Sequence, residues 1–317
     1  MAEAPLSVAY LLWAPLGTTE LARFVSSYQA QPAGIPHRLV IVCNGFSGAD
    51  DDRLVAAQRA LAGVEHDLLV LDAPVLDLAA YAIVAERLAP ARCCFLNSYS
   101  TILAPDWLAL LSDALDAPGV GLVGASGSWG SMRSYVRFQF GLGGAYGEVF
   151  SDRRKTNQIL AAIDKRNRAS GPAPGFLAGK VKTARSTYEQ THGFASFPAR
   201  HIRSTGFMID TDTLARLEVG RLTTKIATYR LESGSASLAA QVERLGLGAV
   251  VVDRHGHAFS SGEWPASRTF WQARQENLLI ADKQTAHYQE ADEAGRAVLA
   301  GFAWGAAADT SPAALDD

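Results

Sequence analysis

The chain has 317 residues, 48% hydrophobic and 19% charged, with 29 Lys and Arg against 32 Asp and Glu and a formal charge of -3. That length allows one large α/β domain or two smaller ones. The near balance of charge removes the broad positive field that nucleic acid or an anionic bilayer needs, so no nucleic-acid partner is expected.

The apolar run 6–16 is interrupted by Ser7, closed by Pro15 and preceded by Glu3, so it is expected to be neither a signal peptide nor a membrane span. Cys43, Cys93 and Cys94 lack C-x-x-C spacing, and two of them are neighbours in an apolar run. Reduced core thiols and a cytoplasmic location are expected, with attachment to the inner face of the membrane left open.

Residues 6–13 (LSVAYLLW) form a continuous apolar run ended by Ala14-Pro15-Leu16-Gly17, the pattern of a buried strand feeding a loop. Thr18 or Thr19 is placed to cap a helix whose apolar face is Leu21, Phe24, Val25 and Tyr28. A strand over 37–43, a helix over 52–61, a strand over 67–71, a helix over 78–88 and a strand over 92–96 follow. Pro105 opens a helix to 115, and a strand is expected over 120–123. Strands apolar on both faces and separated by helices predict an α/β fold with a mostly parallel central sheet.

Beyond Gly124 the alternation stops: 124–131 (GASGSWGS) reads as a loop and 135–163 as partly helical. Residues 151–188 carry Arg153, Arg154, Lys155, Lys165, Arg166, Arg168, Lys180, Lys182 and Arg185 against only Asp152 and Asp164. A solvated helix and loop is one reading, and an anion-facing flap over a phosphorylated substrate is the other. A strand over 206–210, helices over 212–217 and 235–245, and a strand over 249–253 come next. Two C-terminal helices are expected over 267–279 and 291–304, where the apolar stretch 297–304 either closes the core or forms a homodimer seam. Residues 306–317 are expected to be a flexible tail.

In an open α/β sheet, ligands bind beyond the carboxyl ends of the strands. Five segments fall there and are expected to line one cleft: Ala14-Pro15-Leu16, Asn44-Gly45, Asp72-Ala73-Pro74, Asn97-Ser98-Tyr99 and Ser126-Gly127-Ser128-Trp129. No G-x-x-x-x-G-K-[ST] occurs, which excludes a P-loop ATPase. The glycines of 124–130 lack G-x-G-x-x-G spacing and the same stretch has no G-x-S-x-G elbow, which argues against a dinucleotide dehydrogenase and a serine hydrolase.

Taken in order, these segments resemble the GT-A glycosyltransferases of the family 2 type. Val42-Cys43-Asn44-Gly45-Phe46-Ser47 stands where the family has a strand ending D-D-G-S. Phe95-Leu96-Asn97-Ser98-Tyr99, followed by Pro105 and a helix, stands where it has F-L-D-x-D. Ser204-Thr205-Gly206-Phe207 resembles the acceptor-side segment, and Glu232-Ser233-Gly234 the acid ahead of a late helix. The resemblance spans roughly 6–255 and rests on collinearity. It implies a single GT-A-like domain over 1–305, with a nucleotide-sugar-binding half (6–125), a helical and basic insertion (126–200), an acceptor-side half (201–260) and C-terminal helices (261–305).

The resemblance implies transfer of a sugar from a nucleotide-sugar donor to a saccharide or glycoconjugate acceptor, in surface polysaccharide synthesis. It assigns Glu232 as general base. Ala14, Pro15, Leu16, Asn44, Asp72, Asn97, Ser98, Tyr99, Arg203 and His257 become donor contacts, and Trp129, Thr205 and Gly206 acceptor contacts. The family's D-x-D carboxylates hold a divalent cation (Mn or Mg) on the donor diphosphate. Asn97 and Tyr99 replace them here, so no residue is assigned as a metal ligand and a metal-independent or weakly metal-dependent site is expected. Each assignment has a bland alternative: turn residues for Asn44 and Asp72, an ion pair for Arg203, a capping carboxylate for Glu232, a packed ring for Trp129, a loop histidine for His257. A catalytically silent sugar-nucleotide-binding or scaffold protein of the same fold, or a nucleotidyltransferase, would share most of the pattern.

Overall fold

Successive strand side chains point to opposite faces of a sheet, and the apolar runs divide accordingly. Ala9, Leu11, Val40, Val42, Cys93 and Phe95 belong to one buried cluster. Val8, Tyr10, Leu12, Ile41, Cys94 and Leu96 belong to a second. The first is covered by Leu78, Tyr81 and Val84 of the Asp77–Leu88 helix. The second is covered by Leu21 and Phe24 of Thr19–Ala30 and by Trp107, Leu108 and Leu111 of Trp107–Asp116. Each fully buried Leu or Phe contributes about 1.5–3 kcal/mol, so two filled faces hold the central strands.

The computed structural model describes residues 6–48, 50–169, 184–220 and 222–309. Lys180, Lys182 and residues 310–317 of the expected tail lie outside these, as do the side chains of Arg166, Arg168 and Arg185. The eight-stranded sheet runs in the order Ala258–Phe259, Gly248–Val252, Val120–Gly124, Gly206–Asp210, Arg92–Leu96, Leu6–Trp13, Arg38–Asn44, Asp67–Val70. Its pairings are parallel except at Ala258–Phe259 and at Gly206–Asp210, which is antiparallel to both neighbours. This is the α/β, mostly parallel architecture expected from the sequence.

Among the described residues the insertion includes the helices Met132–Gln139, Ala145–Val149, Arg153–Ala169 and Ala184–Thr191. It joins the body through Phe138, Tyr146 and Leu160, which pack on Val298 and Phe302. Leu299 and Trp304 of the same Glu293–Trp304 helix enter the first core cluster. The 297–304 stretch therefore closes the core and is not left as a homodimer seam. No helix among the described residues is long and apolar enough to cross a membrane.

Four local expectations are corrected. Thr18 occupies the N-cap position, but no side-chain capping bond is made. Pro105 precedes a helix that starts only at Trp107, after Asp106 takes a left-handed turn with φ 56°. The 235–245 helix is shortened to Leu238–Arg244, because Ser237 caps it by accepting from the Ala240 amide at 3.2 Å. The 267–279 helix is not formed: Arg268, Trp271, Ala273 and Gln275 have φ between 42° and 55°, which a right-handed helix forbids. The apolar spacing there reflects burial of Phe270, Trp271, Leu278 and Leu279 in a coiled segment. The C-terminal hairpin instead pairs Lys283–Glu290 with Glu293–Trp304. The start of the expected tail is docked, with Asp309 accepting from Arg268 at 2.9 Å.

Candidate functional site

A cavity of about 480 Å³ opens at the carboxyl ends of Leu6–Trp13 and Arg92–Leu96, where Trp13, Asn97 and Tyr99 reach its wall. Gly206–Asp210 runs the other way, so its beginning arrives at the same edge. Leu96 pairs with Gly206, and the Asn97 amide donates to the Thr205 carbonyl at 3.3 Å. Arg203, Ser204 and Thr205 thereby join the cavity.

Asn97 organises the turn. Its Oδ1 accepts from the Tyr99 amide at 2.8 Å and from Ser100 Oγ at 3.3 Å, an Asx-type arrangement that aims Tyr99 at the cavity. Burial raises the Tyr99 phenol, with a smaller push from Glu20. Ser98 faces the other way, donating its Oγ to the Leu11 carbonyl at 2.6 Å. Arg203 donates to Asp282 Oδ2 at 2.6 Å, and its guanidinium lies 3.9 Å from the Phe270 ring centroid. Thr205 Oγ1 donates to the same Asp282 oxygen at 2.6 Å. The Asp282 carboxyl is held below the usual range against the opposing effect of its burial, by the Arg203 charge and these hydrogen bonds.

Glu232 lies in the last turn of Lys225–Ser233, a helix the sequence reading passed over, and its Oε1 accepts from Ser204 N at 3.1 Å and Ser204 Oγ at 2.8 Å. The structure thus unites Asn97, Tyr99, Arg203, Thr205 and Glu232 in one wall.

The remaining expected residues stand elsewhere. Ala14 is buried in a short turn with Pro15 and Leu16, none of them in the lining. The Asn44 side chain clamps the Val75 backbone, donating at 2.8 Å and accepting at 3.1 Å. Asp72 is exposed and paired with Arg87 at 3.2 Å. Gly206 is covered by Ile280, which a Cβ would approach to 2.8 Å. Trp129 donates its indole N–H to the Ser261 carbonyl at 2.9 Å, and its ring packs on Trp304 and Phe197. His257 is exposed and 3.2 Å from Asp253 Oδ2. The five strand ends therefore do not line one cleft: the segments at Ala14-Pro15-Leu16, Asn44 and Asp72 stay outside it.

Several lining residues escaped sequence reasoning: Asp77, His201, Lys225, Phe270, Asp282 and Lys283. Asp77, at the first turn of Asp77–Leu88, has its carboxyl pushed up to about 6 by burial and then by the Glu232 charge, with Lys225 opposing. His201 is held neutral by burial, and its Nδ1 is 2.7 Å from the Ala199 carbonyl oxygen. Lys283 opens the last but one helix, and its Nζ stands 5.6 Å from the Tyr99 ring centroid. The only advance signal for it was its place after Asp282, an N-cap residue with Thr285 three positions on.

A divalent cation does not fit this donor set. Asn97 offers one amide oxygen that already accepts two hydrogen bonds, and Tyr99 offers a neutral phenol. Of the nearby carboxyl groups, Asp282 is engaged by Arg203 and Thr205 and Glu232 Oε1 by Ser204, while Asp77 is pushed toward its neutral form by burial. Among the described residues no group of three or more His, Cys, Asp or Glu is arranged to hold a metal. Hard cations need several oxygen ligands, preferably anionic.

Sheet order, flanking helices and a cavity at the strand ends define an α/β protein built on a mostly parallel eight-stranded sheet. No family model matches the chain, and no curated protein matches it. Solved structures similar to it include the mannosyltransferase PcManGT from Pyrobaculum calidifontis in complex with GDP-Man and Mn2+, at 19% identity and TM-score 0.30 over 39% of this chain and 36% of that one. Another is glucosyl-3-phosphoglycerate synthase from Mycobacterium tuberculosis in complex with Mn2+, UDP and phosphoglyceric acid, at 14% identity and TM-score 0.37 over 79% and 69% of the two chains. The chain thus spans about a third of the first of these proteins.

Proposed function

We propose that the cavity binds a nucleotide sugar and transfers its sugar to a hydroxyl of a saccharide or glycoconjugate, with Glu232 as general base. The observation that carries this reading is the fixed carboxylate: Ser204 holds Glu232 Oε1 from two sides at the cavity wall, which leaves Oε2 for an acceptor hydroxyl. The acceptor oxygen attacks the anomeric carbon and its proton passes to Glu232. The bond from that carbon to the diphosphate breaks, and its electron pair leaves with the nucleoside diphosphate. Trp13 and Tyr99 bring aromatic rings to the cavity wall for a base or a sugar. Lys225 and Lys283 line the same cavity and bring positive charge toward the leaving diphosphate.

Three buried free thiols suit a reducing, cytoplasmic setting, in which surface polysaccharide synthesis would draw on nucleotide sugars. A second reading, a silent sugar-nucleotide-binding protein, is favoured by one observation: the D-x-D positions hold Asn97 and Tyr99. Calorimetric titration with UDP, GDP, TDP and CDP, each with and without Mn, tests the donor class. Binding of one nucleotide is expected, and binding of none would overturn the nucleotide-sugar reading.

A further inference from the structure

Among the described residues four large apolar side chains are exposed, and two of them, Phe140 at 51% and Leu142 at 59%, stand two positions apart just after the Met132–Gln139 helix. The backbone reverses there through Gly141, Gly143 and Gly144, with φ of 71°, 64° and 90°. Phe138 and Tyr146, on either side of the turn, are buried with Val298 and Phe302, so the turn divides the apolar side chains of the segment between core and water. Scattered single apolar residues on a surface are ordinary, but a pair at one tip is not. The surroundings are basic. Residues 131–155 carry Arg133, Arg137, Arg153, Arg154 and Lys155 against Glu148 and Asp152, and all seven are exposed. Two of the guanidinium groups are fixed at the tip itself: Arg137 donates to the Leu142 carbonyl and Arg153 to the Gln139 carbonyl, each at 3.2 Å. Both acceptors are neutral, so both groups keep their charge.

We propose that the tip at 140–142, with Arg137 and Arg153 beside it, docks on the surface of an anionic lipid bilayer. Phe140 and Leu142 enter the acyl boundary while the arginines meet the lipid phosphates, the division of labour that holds a peripheral segment in the interface. Cations alone would suit any polyanion, but the apolar pair between them selects a polyanion with an apolar interior. Size argues against a protein partner: a stable interface covers about 800 Å² on each side, whereas an aromatic side chain buries about 150–250 Å², and the tip has one of these and a leucine. The whole chain carries a formal charge of -3, so attraction to an anionic surface is confined to this end and orients the molecule. Met132, at the other end of the same helix, lies in the cavity wall. Eight helical residues span about 12 Å, so a docked tip holds the cavity close to the bilayer. The proposal does not depend on the nucleotide-sugar reading.

Cosedimentation with vesicles tests it. Wild type, the double variant Phe140→Ser with Leu142→Ser, and the double variant Arg154→Gln with Lys155→Gln, which spares the two arginines that brace the turn, are mixed with phosphatidylcholine vesicles and with equimolar phosphatidylcholine and phosphatidylglycerol vesicles. Thermal melts confirm that each variant is folded, and sedimentation velocity without lipid reports self-association. Wild type is expected to bind the anionic vesicles and not the neutral ones, with affinity falling about 10-fold or more when salt is raised to about 0.5 M. Each double variant is expected to bind the anionic vesicles about 10- to 30-fold more weakly than wild type. Absence of wild-type binding, equal binding to neutral vesicles, or either double variant binding as tightly as wild type overturns the proposal. A wild-type dimer that is lost in the Phe140→Ser, Leu142→Ser protein assigns the tip to a second copy of the chain and overturns it as well.

Discussion

Arg203 and Asp282, 79 residues apart in the chain, meet at 2.6 Å in the cavity wall with side chains only 14% and 5% exposed. The pair ties the segment before Gly206–Asp210 to the helix that carries Lys283. Asp282 also accepts from Thr205 and, through Oδ1, from the Thr285 amide at 2.9 Å. Asp282→Ala is expected to cost about 3–5 kcal/mol, because it strands a buried guanidinium and removes a helix cap. Urea denaturation measures the loss. A cost below about 1 kcal/mol would mean that the pair is solvated.

Asp77 gives stability a pH dependence of known sign. Its folded-state carboxyl titrates at about 6, above the unfolded value near 4. The folded state binds the proton more tightly, so stability falls as pH rises from about 4 to about 6, and the penalty persists above that. Asp77→Asn is expected to match wild type at pH 4 and to exceed it by about 1–2 kcal/mol at pH 7, after allowance for the solvent the side chain retains. Equal stability at pH 7 would contradict the assignment of burial as the cause.

The three cysteines make a test of the core. Cys43, Cys93 and Cys94 are fully buried, and burial pushes the thiols of the first two up to about 12. Since the thiolate is the reactive form, a disulfide reagent at pH 8 is expected to label none of them in the native protein and all three in guanidinium. Rapid native labelling of any one would place it outside the core.

The core tolerates no added bulk beside Trp264. A Cβ on Gly127 would sit 2.8 Å from the Trp264 ring and 2.9 Å from Val251 Cγ2, closer than packed carbons approach. Gly127→Ala is expected to cost about 1–3 kcal/mol by overpacking, outweighing the gain from replacing glycine in a strand. Chemical denaturation decides it, and a stabilised variant would refute the packing.

The first half of the fold was legible because its apolar runs follow strand and helix periods without interruption, and the strands at 6–13 and 92–96 appear at those bounds. The site was legible only in part. The rule of strand carboxyl ends selects positions but not side-chain directions, so it found Asn97 and Tyr99 and also chose Asn44, whose amide is spent on the Val75 backbone. Lys225 was missed with its helix, whose apolar face is narrow, with Thr228 and Leu231 the buried residues. Phe270 was hidden by a helical spacing that the left-handed residues around it contradict. Arg203–Asp282 is a long-range pairing that no local pattern encodes.

Turnover tests the central claim most directly. With the nucleotide sugar selected by titration, release of nucleoside diphosphate is followed for wild type and Glu232→Gln, whose amide keeps the shape of the carboxylate. Wild type is expected to turn over and Glu232→Gln to lose about 100-fold or more in kcat with nucleotide affinity unchanged. Equal rates in the two proteins, or no release by wild type despite nucleotide binding, would contradict the role of Glu232 and leave a binding protein in place of a transferase.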